Sequence, residues 1–281
     1  MAKQKKEKVL DKLVTPKAAA TPHRINDVEL VDLESDAADA YLRLQTNISF
    51  ASVDKEIRCY AMTSAEEAEG KTTSISNLAY VYAQKGLKVL LIDLDLRRPS
   101  VHKLLKLKNK VGVVDVCKGD AELKDAIQHF EKGEFDVLTP GTHTPFPSKI
   151  YESKALKDII EKAKADYDFV LIDTAPILVV NDALSIAPMV DGFVLVCAQH
   201  LSRKRSVQDA VNNLKTKGIN ILGICMTMCD NFEDSGRGYG YGYSYGGSYR
   251  GNYGGYKGGY GGYHRNGSFH PHSEESDPNK K

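Results

Sequence analysis

An excess of charge of either sign is the first thing this sequence lacks: 38 lysines and arginines stand against 37 aspartates and glutamates, giving +1 over 281 residues. A dedicated nucleic-acid binder carries a basic excess for its phosphate contacts, so no nucleic-acid partner is expected. Long apolar runs are lacking too. None approaches the roughly 18–20 residues that cross a bilayer, so the chain is not expected to span a membrane. The basic start, MAKQKKEK, is followed by no apolar stretch and does not read as a secretory signal. The five cysteines (Cys59, Cys117, Cys197, Cys225 and Cys229) include no CxxC pair. An odd count without framework spacing suits a reducing cytosol, and most of these thiols fall in apolar runs that read as buried. A Cys225–Cys229 metal pair would need a second Cys/His pair of matching spacing, and the sequence has none.

Tryptophan is absent, whereas tyrosine occurs fifteen times, and nine of the fifteen fall between Tyr239 and Tyr263 among eleven glycines. That stretch has no aliphatic residue, so it cannot bury enough surface to offset the entropy of ordering its glycine. Three segments are therefore expected. Residues 1–30 form a mobile N-terminal segment, 31–234 a globular domain, and 235–281 a disordered tyrosine-rich tail.

Within the domain, short β-branched or aliphatic runs alternate with helical patterns. IRCYAMT (57–63), KVLLID (88–93), FDVLTP (135–140), FVLID (169–173), GFVLVC (192–197) and INILGICM (219–226) read as buried strands. Helical stretches fall near 71–85, 150–165 and 203–217. A leading helix is expected where Ala37, Tyr41, Leu44 and Ile48 recur at helical spacing. Continuous apolar strands separated by helices predict an α/β fold, with a mostly parallel sheet covered by helices on both faces.

The first strand runs into TSAEEAEGKTT and then a helix. Glu69, Gly70, Lys71, Thr72 and Thr73 form the end of a phosphate-binding loop. Glycine lets backbone N–H groups close around phosphate oxygens, lysine reaches the β- and γ-phosphates, and the Thr72 hydroxyl can ligate Mg²⁺ at a positive helix N-terminus. Ala65 stands where the usual pattern has its first glycine. A GKT triplet alone is a weak signal; following a strand and opening a helix, it implies nucleotide binding. LLIDLDLRRP places Asp93 and Asp95 at a strand end, two apart and so on one side of an extended chain. FVLIDTAP places Asp173 at another strand end. Ligands bind at the carboxyl ends of such strands, so the three acids are expected to converge on the loop. A lone strand-end aspartate reads equally as a turn former or helix cap. Arg97 and Arg98 read either as neutralising phosphate charge or as a solvated corner.

Together the GKT loop, LLIDLDLR and VLIDTAP resemble the bacterial tyrosine kinases (BY-kinases), and among them the soluble CpsD/CapB type. The resemblance runs from about Ala38 to Met228 and includes the helix ending in Thr46-Asn47, PSKIYESKALKDII and VDGFVLV. It implies a P-loop NTPase of MinD/ParA-like architecture that uses ATP and Mg²⁺. Lys71, Asp93 and Asp95 would be catalytic, with Thr72, Asp93 and Asp173 around the metal. It also implies a tail cluster for autophosphorylation: Tyr239, Tyr241, Tyr243, Tyr245, Tyr249, Tyr253, Tyr256, Tyr260 and Tyr263. The family's partners would be a homo-oligomer, the cytosolic segment of a separate membrane activator and a phosphotyrosine phosphatase. A cytoplasmic kinase recruited to the inner face of the membrane, acting in capsular or exopolysaccharide synthesis, is expected.

Three departures accompany the resemblance. The leading helix of the family carries Glu-x-x-Arg-x-x-Arg, whereas here those positions are Asp39, Leu42 and Gln45, with Arg43 one place off. Glu67-Ala68 replaces a common Pro-Gly, and Thr227 replaces an asparagine expected to read adenine. Two other readings remain open. A MinD/ParA-like ATPase switch would have a second lysine where Ala65 stands. A nucleic-acid or self-association module could use the Gly/Tyr/Arg tail through base stacking, yet 236–263 holds only Arg237, Arg250 and Lys257 as cations.

Overall fold

In a computed structural model of the chain, residues 30–52 and 56–229 are described. The expected N-terminal segment, apart from Leu30, and the expected tail lie outside them. Seven strands form one sheet: β1 (Cys59–Ser64), β2 (Val89–Asp93), β3 (Ile127–Phe130), β4 (Phe135–Leu138), β5 (Phe169–Asp173), β6 (Gly192–Ala198) and β7 (Ile221–Thr227). Their spatial order is β3-β4-β2-β5-β1-β6-β7. Every neighbouring pair is parallel except β3–β4, which is antiparallel. Strand β3 was not expected, because IQHF buries only Phe130 and has no apolar run.

Four longer helices cover the sheet: α1 (Asp36–Ser49), α2 (Lys71–Ala83), α3 (Lys154–Asp166) and α4 (Lys204–Thr216). The inner strands β1, β2, β5 and β6 are buried along almost their whole length because both of their faces are covered. Ala61, Ile92, Ile172 and Leu195 face a core completed by Leu156, Ile160, Val207 and Leu214 of α3 and α4. Alternate residues, among them Met62, Leu91, Leu171 and Val194, face Ile48, Ile75 and Leu78 of α1 and α2.

Two local expectations are corrected. The stretch 150–165 is not one helix: a turn at Pro147–Tyr151 precedes α3, and the Ser153 hydroxyl accepts the Leu156 N–H at 3.1 Å, capping a new start. In α1, which begins after a similar Ser35 cap, Ala38 is buried and Ala37 exposed. Cys59 and Cys197 are buried, Cys117 and Cys225 half-buried, and Cys229 exposed. Burial pushes the Cys197 thiol up to about 12 and the Cys225 thiol up to about 11.

Candidate active site

β1 delivers the chain at Ser64 into the turn 65–70, which enters α2 at Lys71. Two residues of this turn are left-handed, Ala68 at φ 62° and Gly70 at φ 88°. Gly70 is the one position of the turn where glycine is required twice over, since an added Cβ would also approach Thr227 at 3.3 Å. Ala65, in place of the usual first glycine, is buried and has no positive φ, so its methyl group is tolerated. The first turn of α2 carries no acidic residue, which leaves its N-terminal positive potential for an anion. Lys71 is buried and Thr72 and Thr73 half-buried at that terminus.

Opposite the loop, Asp93 and Asp173 end the adjacent parallel strands β2 and β5 in register. The Thr72 hydroxyl donates to Asp173 Oδ2 at 2.5 Å and lies 2.7 Å from Ser100 Oγ. With its proton given to Asp173, Thr72 accepts from Ser100 and keeps a second lone pair for a cation. Asp93 and Asp95 are indeed close, though the pleat of an extended chain is not the reason. The strand ends at Asp93, and a turn follows in which Asp95 N–H donates to Asp93 Oδ1 at 3.0 Å. Asp93 Oδ2 accepts from Ser100 and Val101 N–H at 3.2 and 3.1 Å, and Asp95 Oδ1 from Arg98 N–H at 2.9 Å.

Burial, followed by the Asp173 charge, pushes the Asp93 carboxyl well above the usual range. Burial also raises Asp173 to about 6, against the lowering effects of Lys71 and the Thr72 hydrogen bond. Asp95 adds like charge to both. Buried acids this crowded favour a cation among them. Asp173 Oδ1 is buried with no hydrogen-bond partner, which leaves an oxygen of hard-cation type unused. Thr72, Asp93 and Asp173 therefore fit Mg²⁺. Among the described residues no three His, Cys, Asp or Glu side chains form a metal cage; Mg²⁺ at such sites takes few protein ligands, with phosphates and water as the others.

The remaining predicted residues surround this centre. Glu69 is buried, and its carboxylate turns to Glu66 N–H and Ser202. Arg97 and Arg98 are exposed, and Arg98 pairs with Glu67 of the loop. Thr227, which stands in place of the asparagine expected to read adenine, donates its hydroxyl proton to the Glu69 carbonyl of the loop at 2.7 Å. On α1, Asp39 and Arg43 are exposed and Leu42 half-buried, while Gln45 accepts from Lys85 at 2.5 Å. A cavity of about 210 Å³ between Gln45, Lys85, Ile57 and Phe169 lies at the amino ends of the strands, away from the phosphate loop. The nine tail tyrosines lie outside the described residues. Ser100, Ser202, Ser206 and Tyr151 were not singled out by the sequence. Tyr151 donates to the Leu94 carbonyl at 2.7 Å and steadies the turn after Asp93.

A phosphate loop between strand and helix, facing two in-register strand-end aspartates, defines a P-loop nucleoside triphosphatase domain. The AAA domain family matches residues 58–215. Tyrosine-protein kinase YwqD of Bacillus subtilis (strain 168) is 38% identical over 214 residues, 76% of this chain and 90% of that protein. CpsD of Streptococcus pneumoniae serotype 4, also a tyrosine-protein kinase, is 33% identical over 195 residues, 69% and 85% of the two chains. Etk of Escherichia coli (strain K12) is longer: 37% identity over 204 residues covers 72% of this chain and 28% of etk. The solved kinase domain of Escherichia coli ETK superposes with a TM-score of 0.69 at 34% identity, covering 79% of this chain and 88% of that one. MinD of Pyrococcus horikoshii, solved with Mg-ADP, gives 0.51 at 28% identity over 59% and 68%. The chain belongs to the bacterial tyrosine kinases, enzymes built on the MinD/ParA-type P-loop fold. Among the described residues, no helix is long and apolar enough to cross a membrane.

Proposed function

We propose that this kinase transfers phosphoryl groups from ATP to the tyrosines of its own C-terminal segment, between copies of the chain, and so regulates capsular or exopolysaccharide synthesis. The observation that carries the proposal is the state of the six tyrosines in the domain. Tyr60, Tyr82 and Tyr151 are buried, and Tyr41, Tyr80 and Tyr167 half-buried. The Tyr60 and Tyr82 hydroxyls bond each other at 2.9 Å, and Tyr167 donates to Asp136 at 2.7 Å. Burial raises Tyr60, Tyr167 and, to about 12, Tyr82, so these phenols hold their protons tightly. An acceptor must leave its surroundings and enter the site, which such residues do not readily do. Nine tyrosines, Tyr239 to Tyr263, remain.

ATP supplies the phosphoryl group, and Mg²⁺ neutralises charge on its oxygens. Lys71 and the N–H groups of 69–73 hold the phosphates. Thr72 and Asp173 would hold the metal. Asp93 accepts or orients the tyrosine proton as the phenolic oxygen bonds to phosphorus and ADP departs. Three backbone N–H groups fix Asp93, leaving about one of its four lone-pair sites for that task. Asp95 supports the metal shell. A homo-oligomer contact through α1 brings the tail of one copy to the next. The cytosolic segment of a membrane activator recruits and stimulates the kinase at the inner membrane face, and a phosphatase resets it. Nine phosphotyrosines add on the order of −14 to −18 charges, enough to repel the tails and loosen the oligomer. Intact mass and peptide mapping after incubation with Mg-ATP, with and without the activator segment, test the proposal. Phosphate on the tail supports it, and phosphate confined to 30–229 contradicts it.

A further inference from the structure

A carboxylate inside a phosphate-binding loop opposes the charge the loop must hold. Glu69, directly before Gly70-Lys71, is nevertheless only 1% exposed. Both of its oxygens are engaged. Oε2 accepts the Glu66 N–H at 3.0 Å, and Oε1 accepts the Ser202 hydroxyl. Ser202 is itself buried in the β6–α4 connection and accepts the Ala198 N–H at 2.8 Å, which orients its proton toward Glu69. The Glu69 carbonyl takes the Thr227 hydroxyl from the end of β7, and Glu66 Oε1 takes the Ser206 hydroxyl at 2.6 Å. The turn 65–70 is thus tied to β6, α4 and β7 by side chains whose bonds all lie within the protein.

We infer that Glu69 is a positioning residue: through Ser202 it locks the loop in the conformation that aims its backbone N–H groups at phosphate. Each oxygen is held by a partner inside the protein, and the repulsion its charge adds is the cost of a preorganised loop. The inference rests on the reading that this loop holds the nucleotide phosphates.

Affinity for Mg-ADP by calorimetry, KM and kcat with Mg-ATP, and melting without nucleotide are measured on the full chain. Ser202→Ala should weaken Mg-ADP and raise KM by about tenfold, as expected for one lost charge-assisted hydrogen bond. Its kcat at saturation should stay within about twofold of the parent value. Glu69→Gln separates the two effects of the carboxylate by sign. Positioning predicts weaker Mg-ADP binding, by about threefold or more, although repulsion has been removed. Tighter binding would mean that repulsion dominates, and would overturn the inference. Ser202→Ala with a lowered melting temperature and unchanged Mg-ADP affinity would overturn it too, by reducing the bond to a structural one. Failure of the parent chain to bind Mg-ADP would instead remove the nucleotide reading beneath it. Should Ser202→Ala not fold, the sign of the Glu69→Gln change decides alone.

Discussion

Asp93 and Asp173 sit side by side in register at the carboxyl ends of adjacent parallel strands, but their carboxylates are in opposite states. Three backbone N–H groups hold Asp93, whereas Asp173 leaves one buried oxygen with no partner. On the proposed reading, Asp93 is the more firmly held of the two acids around the metal and Asp173 the one with an oxygen still free of partners. Asp173→Asn keeps the size and an acceptor for Thr72 while removing the charge. It should lower kcat by about 10²–10³ and should weaken Mg-ADP more than metal-free ADP. Parallel calorimetry with and without Mg²⁺ checks this, and equal weakening of both would argue against a metal role.

Asp115 steadies the loop that follows β4. Its Oδ2 accepts Gly112 N–H at 2.9 Å and Thr142 N–H at 3.0 Å. Burial alone would raise its carboxyl, but these hydrogen bonds outweigh burial and lower it below 3.8. A carboxyl with a lowered folded pKa contributes its stability in full above the unfolded value, and loses it as pH falls through the folded one. Asp115→Ala should therefore cost about 1–3 kcal/mol near pH 7. The gap from the parent chain should close as the pH drops below the unfolded value, as read by urea unfolding at several pH values.

Ala68 holds a left-handed φ of 62° in the phosphate loop. That conformation costs a non-glycine residue roughly 1–2 kcal/mol, partly offset by the greater freedom of an unfolded glycine. Ala68→Gly should accordingly raise stability by up to about 1 kcal/mol in urea unfolding. Ala68→Val, branched at Cβ, should lower it.

The sheet was legible because its inner strands are buried on both faces, so VLLID and FVLID announce themselves without alternation. β3 was not, since IQHF shows one buried side chain to the core. The GKT loop and Asp173 were legible from their places at the ends of apolar strand runs. Asp93 and Asp95 were paired for the wrong reason: a hydrogen-bonded turn, absent from strand geometry, brings them together. Ser100 and Ser202 were invisible because their partners, Thr72 and Glu69, are 28 and 133 residues away. A serine has no sequence signature for a contact that the fold creates.

Transfer between copies is the central claim, and one mixture tests it most directly. A full-length Lys71→Met chain, unable to hold the phosphates, is incubated with Mg-ATP and an active chain truncated after Asp234. Intact mass should show phosphate on the full-length chain, mapping to Tyr239–Tyr263. If the Lys71→Met chain stays unlabelled while the unaltered protein labels itself, transfer is confined to a single molecule and the account is contradicted.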